Sequence, residues 1–352
     1  MPLRSSSSAC NTGDCEVSTE HANDKTKEAL IADSVEKNIP STDVTDIDPH
    51  AKLPVTLSTS IPRPSSTRRS IDQLPSTLTR NITRLLKKDF SILHKKKKRL
   101  REHGIDMPPI RNGVDMSNVV NATLVFAQED AGTAVCISPH GILLTCSHCV
   151  AESTEELENN RTKWLLFASG EVVKADCVAW DPTRDLSLLQ IVACQRLAET
   201  GLNSPSSSSP SAIPLQGFPF LIPADAPLPF RAALTCVGHP GSEDLEASKP
   251  GIKTNYNVLH VSSGNFRGYA PGQDRQDNSE IGALMHDCWT YWGHSGAPLV
   301  EQSSGRLAGL HSSWDDQTGM RRGVGLEAIK AFLNENAGLF RYEDIEGLAL
   351  PV

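Results

Sequence analysis

The sequence predicts an all-β protein with a C-terminal helix, preceded by a disordered N-terminal region. Three observations lead there. From about residue 117, short apolar runs alternate with Gly, Pro and Asp turns, at 119–127, 132–138, 142–146, 164–168, 171–180, 186–193, 232–238, 256–262, 297–301 and 306–311. Many short strands with turns between them build sandwiches or barrels rather than βαβ units. Residues 1–80 are rich in Ser, Thr, Asp and Pro, and their apolar residues are too scattered to offset the entropy of ordering. Near the end, Leu326, Ile329, Phe332 and Leu333 repeat at the period of an amphipathic helix, over 325–335.

The elements follow in order. Residues 81–116 read as a basic helical segment and linker. Ile82, Leu85, Leu86 and Leu93 sit near helical spacing beside Lys87, Lys88 and the run Lys95-Lys96-Lys97-Lys98-Arg99. Two readings stand for it: a solvated charged helix, or a stretch at 84–101 that docks a nuclear import receptor or a polyanion. Pro108 and Pro109 end it. The β domain spans 117–335. Within it, 201–228 carries a Ser/Pro-rich, low-complexity tract and reads as a mobile connection between two β units. Residues 336–352 form a tail.

Composition and charge exclude several classes. Of 352 residues, 38% are hydrophobic, so a sizeable core is expected, but not along the whole chain. No apolar run approaches the ~18–20 residues of a membrane helix, and the N-terminus has no apolar stretch like a secretory signal's. Residues 1–115 hold 19 Lys/Arg and 15 Asp/Glu, a net of +4, whereas 116–352 hold 15 and 27, a net of −12. Nucleic acid is therefore an unfavourable partner for the β domain, because phosphate contact needs clustered positive charge. The nine cysteines are an odd number, which without a secretory signal favours reduced thiols in an intracellular protein, cytoplasmic or nuclear.

Three segments carry chemistry. They are Gly132–Val135 through Gly141–His148, then Asp185-Leu186-Ser187-Leu188-Leu189, then Gly293-His294-Ser295-Gly296-Ala297-Pro298-Leu299. Each supplies one member of a Ser–His–Asp set. A Ser hydroxyl is a weak nucleophile, so an imidazole must take its proton during attack and return it to the leaving amine. A carboxylate fixes the imidazole tautomer and stabilises the imidazolium. Gly293 permits the turn that aims its own N–H and that of Ser295 at the developing oxyanion. Asp181 is a nearby rival to Asp185, but Asp185 directly precedes the apolar run.

On these motifs the chain resembles the trypsin/chymotrypsin-like serine peptidases, in the wording of its lean intracellular or bacterial members. Thr145-Cys146-Ser147-His148 is similar to the family's T-A-A-H. Asp185 heads a D-x-A-L-L segment with Ser187 in place of Ala, and Ser295 sits in G-x-S-G-x-P-L. The order His–Asp–Ser is that of chymotrypsin. The resemblance spans about 117–335 and implies two six-stranded antiparallel barrels, at about 117–200 and 229–325, with the active site between them. It implies His148 as general base and acid, Asp185 as its orienting carboxylate, Ser295 as nucleophile, and the Gly293 and Ser295 N–H groups as oxyanion hole. It implies no cofactor, and a protein or peptide as substrate. The alternative is a catalytically silent barrel that binds peptides or partner proteins.

Departures from the family matter. His294 stands where trypsin-like zymogens place an Asp that pairs with a newly cut N-terminus, so His294 is expected to shape the oxyanion turn instead. Cys149 follows His148 as in secreted relatives, but their partner cysteine is missing near Thr133, and Cys136 lies in a different register. Cys146-Ser147-His148-Cys149 resembles half a zinc knuckle, yet no second such pair exists to complete four ligands, so no metal is assigned. Substrate-pocket positions implied by the family are Trp289 and Thr290. His311 lies in a G-x-H context similar to that of glutamate-specific bacterial endopeptidases and, with Gln selection, of the 3C-type viral proteases. His311 and Thr290 then accept a Glu or Gln side chain before the scissile bond; the other reading makes His311 a structural strand residue. Ser312 matches the family serine that bonds the catalytic carboxylate. Trp289, Tyr291 and Trp292 form either packing or a peptide-docking wall, and the Gly-, Asp- and Asn-rich insert at 240–280 is placed to gate the cleft.

Overall fold

In the computed structural model, described residues are 71–102, 105, 116–128, 132–195, 217–243 and 247–340. The disorder expected for residues 1–70, most of the connection at 201–216 and the tail beyond 340 lie outside them.

Two closed antiparallel barrels form the body. The first contains β2 (Thr123–Phe126), β3 (Thr133–Cys136), β4 (Ile142–Thr145), β5 (Thr162–Phe167), β6 (Val172–Asp181) and β7 (Leu186–Cys194). Its strand order is β7-β4-β3-β2-β5-β6, and β6 pairs back onto β7. The second contains β8 (Ala233–Gly238), β9 (His260–Tyr269), β10 (Leu284–His286), β11 (Pro298–Glu301), β12 (Leu307–Trp314) and β13 (Arg321–Gly325), closed in the order β10-β13-β12-β11-β8-β9. The expected all-β architecture of two six-stranded barrels is therefore present. Closure leaves no bare strand edge within either barrel.

Alternation along the strands divides the core. Leu143 points into the first barrel with Leu124, Phe126, Leu165, Phe167 and Leu189. Its neighbour Leu144 points outward, but it too is buried, in a cluster that includes Leu188, Val300, Leu310 and Val324 from both barrels. Opposite faces of one strand thus serve two cores. Leu234, Phe266, Leu284 and Leu299 fill the second barrel. The C-terminal helix α5 (Leu326–Glu335) buries Ile329, Phe332 and Leu333 in the shared cluster.

Three findings differ from the sequence expectation. Residues 71–80 are ordered rather than disordered. A short strand β1 (Asp72–Gln73) runs parallel to β7, and Leu74 N–H donates to Cys194 O at 2.8 Å. Leu74 and Leu78 are too few to build a core, but here they join an existing one. The basic segment is not simply solvated either. After the short helix α1 (Arg80–Thr83), helix α2 (Lys87–Glu102) docks on the body through Ile92, Leu93 and Leu100. Lys96, on the same face, is buried, and its Nζ donates to Phe126 O and Gln128 O at 2.9 Å each. Lys97 bonds Gln195 Oε1. Lys95, Lys98 and Arg99 remain exposed. Finally, residues 117–122 form a helix, α3 (Ser117–Ala122), ahead of β2. No helix among the described residues is long and apolar enough to cross a membrane.

Candidate active site

Strand register places the imidazole beside the carboxylate. β4 and β7 are neighbours, with Thr145 opposite Ser187. His148 follows one strand and Asp185 precedes the other, so both emerge at the same end. Asp185 takes a left-handed backbone conformation (φ +53°), which Asp tolerates better than most residues. Its Oδ1 accepts from His148 Nδ1 at 2.8 Å and from Ser147 Oγ at 3.0 Å, while Oδ2 accepts from Ser312 Oγ at 2.7 Å. Ser312 belongs to the second barrel, so the carboxylate is held from both sides of the cleft. Asp181 is occupied elsewhere, paired with Arg184 at 2.7 Å.

Electrostatics follow from these contacts. Burial disfavours the Asp185 carboxylate, but the bonds from His148 and Ser312 outweigh it and hold the group below the usual carboxylate range. Burial likewise disfavours the His148 imidazolium, yet the neighbouring Cys149 sulfur and the Asp185 carboxylate prevail and raise the ring above its ordinary value. The ring still opens onto the cleft. Its Nδ1 bond to Asp185 leaves Nε2 as the ring's other proton-carrying site.

The turn that carries Ser295 joins the two barrels. Thr133 N–H donates to Ser295 O at 2.8 Å, Thr133 Oγ1 donates to Gly293 O at 2.9 Å, and Gly296 N–H donates to His311 O at 2.8 Å. Gly293 and Gly296 both have positive φ, +96° and +81°. A Cβ on Gly293 would lie 2.5 Å from His239 O. Among the described residues, neither the Gly293 nor the Ser295 N–H donates to a protein acceptor, so both stay available for an oxyanion. His294, buried, closes the turn. Its N–H donates to Tyr291 O at 3.0 Å, and its Nδ1 lies 3.1 Å from Tyr291 N. Burial pushes this ring down to about 3, so it acts as a neutral brace and not as an ion-pair partner. We predict that Gly293→Ala lowers kcat by about 10²–10³-fold, because the clash of its Cβ with His239 O shifts the turn and swings the backbone N–H away from the oxyanion. KM should change far less; equal loss in both parameters would point to a general collapse of the cleft.

Ser295 Oγ donates to Ser312 O at 2.9 Å. Among the described residues, no hydrogen bond joins this hydroxyl to His148 Nε2. His148, Asp185 and Ser295 nevertheless line one cleft of about 480 Å³, together with Thr290, His311, Ser312 and the side chains of Tyr291, Trp292, Trp314 and Arg321.

Trp289 does not line that cleft. Thr290, the next residue, does line it. Trp289 packs instead against Tyr256, His260 and His294 at ring distances of 4.9, 4.6 and 5.6 Å. Trp292, half exposed, stands edge-on to Trp314 at 6.3 Å and supplies the wall. The 240–280 insert approaches the cleft at its end, where Asn278 lines it beside Ser279 and Glu280.

His311 is buried, with Nδ1 at 3.1 Å from His286 Nε2. Burial holds both rings well below their ordinary range, His286 at about 3, so the pair is neutral and shares one proton between facing nitrogens. Ser147, Trp314 and Arg321 were not legible as site residues. Only Ser147 carried a signal, its position next to His148.

Cys146, His148 and Asp185 present ligand atoms within 4.8 Å of one another. A metal requires the thiolate, and burial together with Asp185 and Cys149 pushes the Cys146 thiol well up. The Asp185 oxygens already accept from His148, Ser147 and Ser312, so no metal is assigned to the set. The seven described cysteines are all buried and none is in a disulfide.

A trypsin-like peptidase domain family matches residues 132–310, just over half the chain. No curated protein matches significantly. Among solved structures, the chain is similar to the inactive form of Rv3671c from M. tuberculosis H37Rv (15% identity, TM-score 0.43, covering 68% of this chain and 98% of that one). The active form of the same protease matches at 17% identity and TM-score 0.42, covering 65% and 88%. A serine endoprotease from Yersinia pestis matches at 17% and 0.41, covering 63% and 66%. With its two barrels and the matched span from Gly132 through Leu310, the chain belongs to the trypsin-like peptidase domain family.

Proposed function

We propose that the protein is a serine endopeptidase that hydrolyses peptide bonds through a Ser295 acyl-enzyme. The observation that carries this reading is the Asp185 carboxylate, bonded by His148 Nδ1 on one oxygen and by Ser312 Oγ on the other, in the cleft that Ser295 also lines. Ser295 Oγ leaves Ser312 O, gives its proton to His148 Nε2 and attacks the substrate carbonyl. The Gly293 and Ser295 N–H groups stabilise the tetrahedral oxyanion, each worth roughly 3–4 kcal/mol at the transition state. His148 then protonates the leaving amine. A water, deprotonated by the same ring, hydrolyses the ester.

The substrate residue before the scissile bond is Glu or Gln. The buried Thr290 and the neutral His311, both on the cleft wall, offer a hydroxyl and an imidazole N–H to a side-chain oxygen. One observation favours a second reading, a peptide-binding barrel without turnover: the hydroxyl of Ser295 rests on Ser312 O. Incubation with a peptide library separates the two. We expect cleavage dominated by Glu or Gln before the cut. Cuts after Arg, Lys or large aromatics refute the specificity, and intact peptides throughout favour the binding module.

A further inference from the structure

We propose that Arg321 is the specificity-determining charge of the substrate pocket, selecting the carboxylate of Glu over the neutral carboxamide of Gln. This rests on the reading of the cleft given above and sharpens its substrate class.

Arg321 opens β13, directly opposite Trp314 in the β12–β13 ladder. Its half-buried guanidinium lies 5.3 Å from the Trp314 ring centroid. Nη1 donates to Gly319 O at 2.9 Å and Nη2 to Thr290 O at 3.3 Å. The second bond ties the cation to the residue that faces the pocket. A guanidinium carries five N–H groups, and these two contacts leave others free. Among the described residues, Arg321 forms no ion pair, whereas Arg184, Arg267, Arg275 and Arg306 each have a carboxylate partner. A partly desolvated cation without a counter-charge, on the wall of a cleft, is complementary to an anionic guest.

The rest of the wall agrees with an anionic guest. His311 is neutral and, with Nδ1 facing His286 Nε2, can offer an N–H without adding charge, and Thr290 adds a hydroxyl. Three carboxylates also line the cleft, Asp185, Glu152 and Glu280, and none of them pairs with Arg321 among the described residues. Asp185 is consumed by His148 and Ser312. Glu152 lies four residues beyond His148. Glu280 follows Asn278, whose N–H donates to Thr183 O beside Asp185. Both glutamates are exposed. Neutral Gln would meet the same hydrogen-bond donors but not the unpaired charge.

The test separates binding from turnover. Two peptides that differ only in Glu or Gln at the relevant position are titrated calorimetrically into full-length Ser295→Ala. We expect the Glu peptide to bind at least about tenfold more tightly, one charge-assisted pair's worth. The ratio should fall close to one in Ser295→Ala/Arg321→Gln and be partly kept in Ser295→Ala/Arg321→Lys. Equal affinities in Ser295→Ala, no binding of either peptide, or an unchanged ratio in both double variants overturns the proposal. Fluorophosphonate labelling runs in parallel. Melting temperatures of both double variants close to that of Ser295→Ala show that the fold survives loss of the guanidinium. Failure to label wild type, with the Glu preference preserved, removes the peptidase reading and leaves the acidic-peptide site standing.

Discussion

Replacing Ser295 with alanine is expected to lower kcat/KM by about six orders of magnitude. The melting temperature should barely move, because the side-chain oxygen makes a single hydrogen bond, to Ser312 O. The size follows from covalent catalysis: without Oγ there is no acyl-enzyme, and only binding and the oxyanion N–H groups remain. His148→Ala should lose nearly as much, because the hydroxyl then keeps its proton. The double variant should be little worse than either single one, since the two residues act as a unit. Steady-state kinetics on a cleavable peptide, with thermal melting as the control for folding, decides this. Additive losses would mean that the two side chains do not work on the same step.

Asp185→Asn is the second large effect, about four orders of magnitude in kcat. The amide can donate to Nδ1 and so stabilises the wrong imidazole tautomer, with Nε2 protonated and unable to accept from Ser295. The variant also has a signature in pH. In the native protein, His148 is raised above its ordinary value in part by Asp185. The base must be neutral to act, so kcat/KM rises with pH through that raised value. Without the carboxylate, burial still opposes the charged ring, and the acidic limb moves to lower pH. A limb that stays in place in Asp185→Asn would show that the carboxylate does not govern the titration. Folding should be affected as well, because Ser147 Oγ and Ser312 Oγ lose a charged acceptor.

The parts of the site that were legible in sequence are those where one residue type is chemically irreplaceable and its neighbours make a turn. His148, Asp185 and Ser295 each stand at the end of an apolar run, so the strand pattern itself pointed to them. Gly293 was readable because only glycine sits easily at φ +96°. Other features were hidden for physical reasons. β13 reads Arg321-Arg322-Gly323-Val324-Gly325, with one branched apolar residue in five, and it becomes a strand only because β10 and β12 flank it. Arg321 looks like an ordinary surface charge until that ladder sets it opposite Trp314. Lys96 lies within a run that resembles a free basic stretch, yet its stem follows the apolar face of α2 and its ammonium finds two carbonyls. Trp289 shows the opposite case: the family implies a pocket residue, and here its ring packs against Tyr256, His260 and His294 instead.

A fluorophosphonate reacts only where a serine is activated by a base and its oxyanion has donors, so it examines the constellation in one step. Intact-mass and peptide-level mass spectrometry of the treated full-length protein should find a single adduct, on Ser295, that is lost in His148→Ala. An unmodified Ser295 over the range of pH at which His148 is neutral, or an equal adduct yield in His148→Ala, would contradict the account.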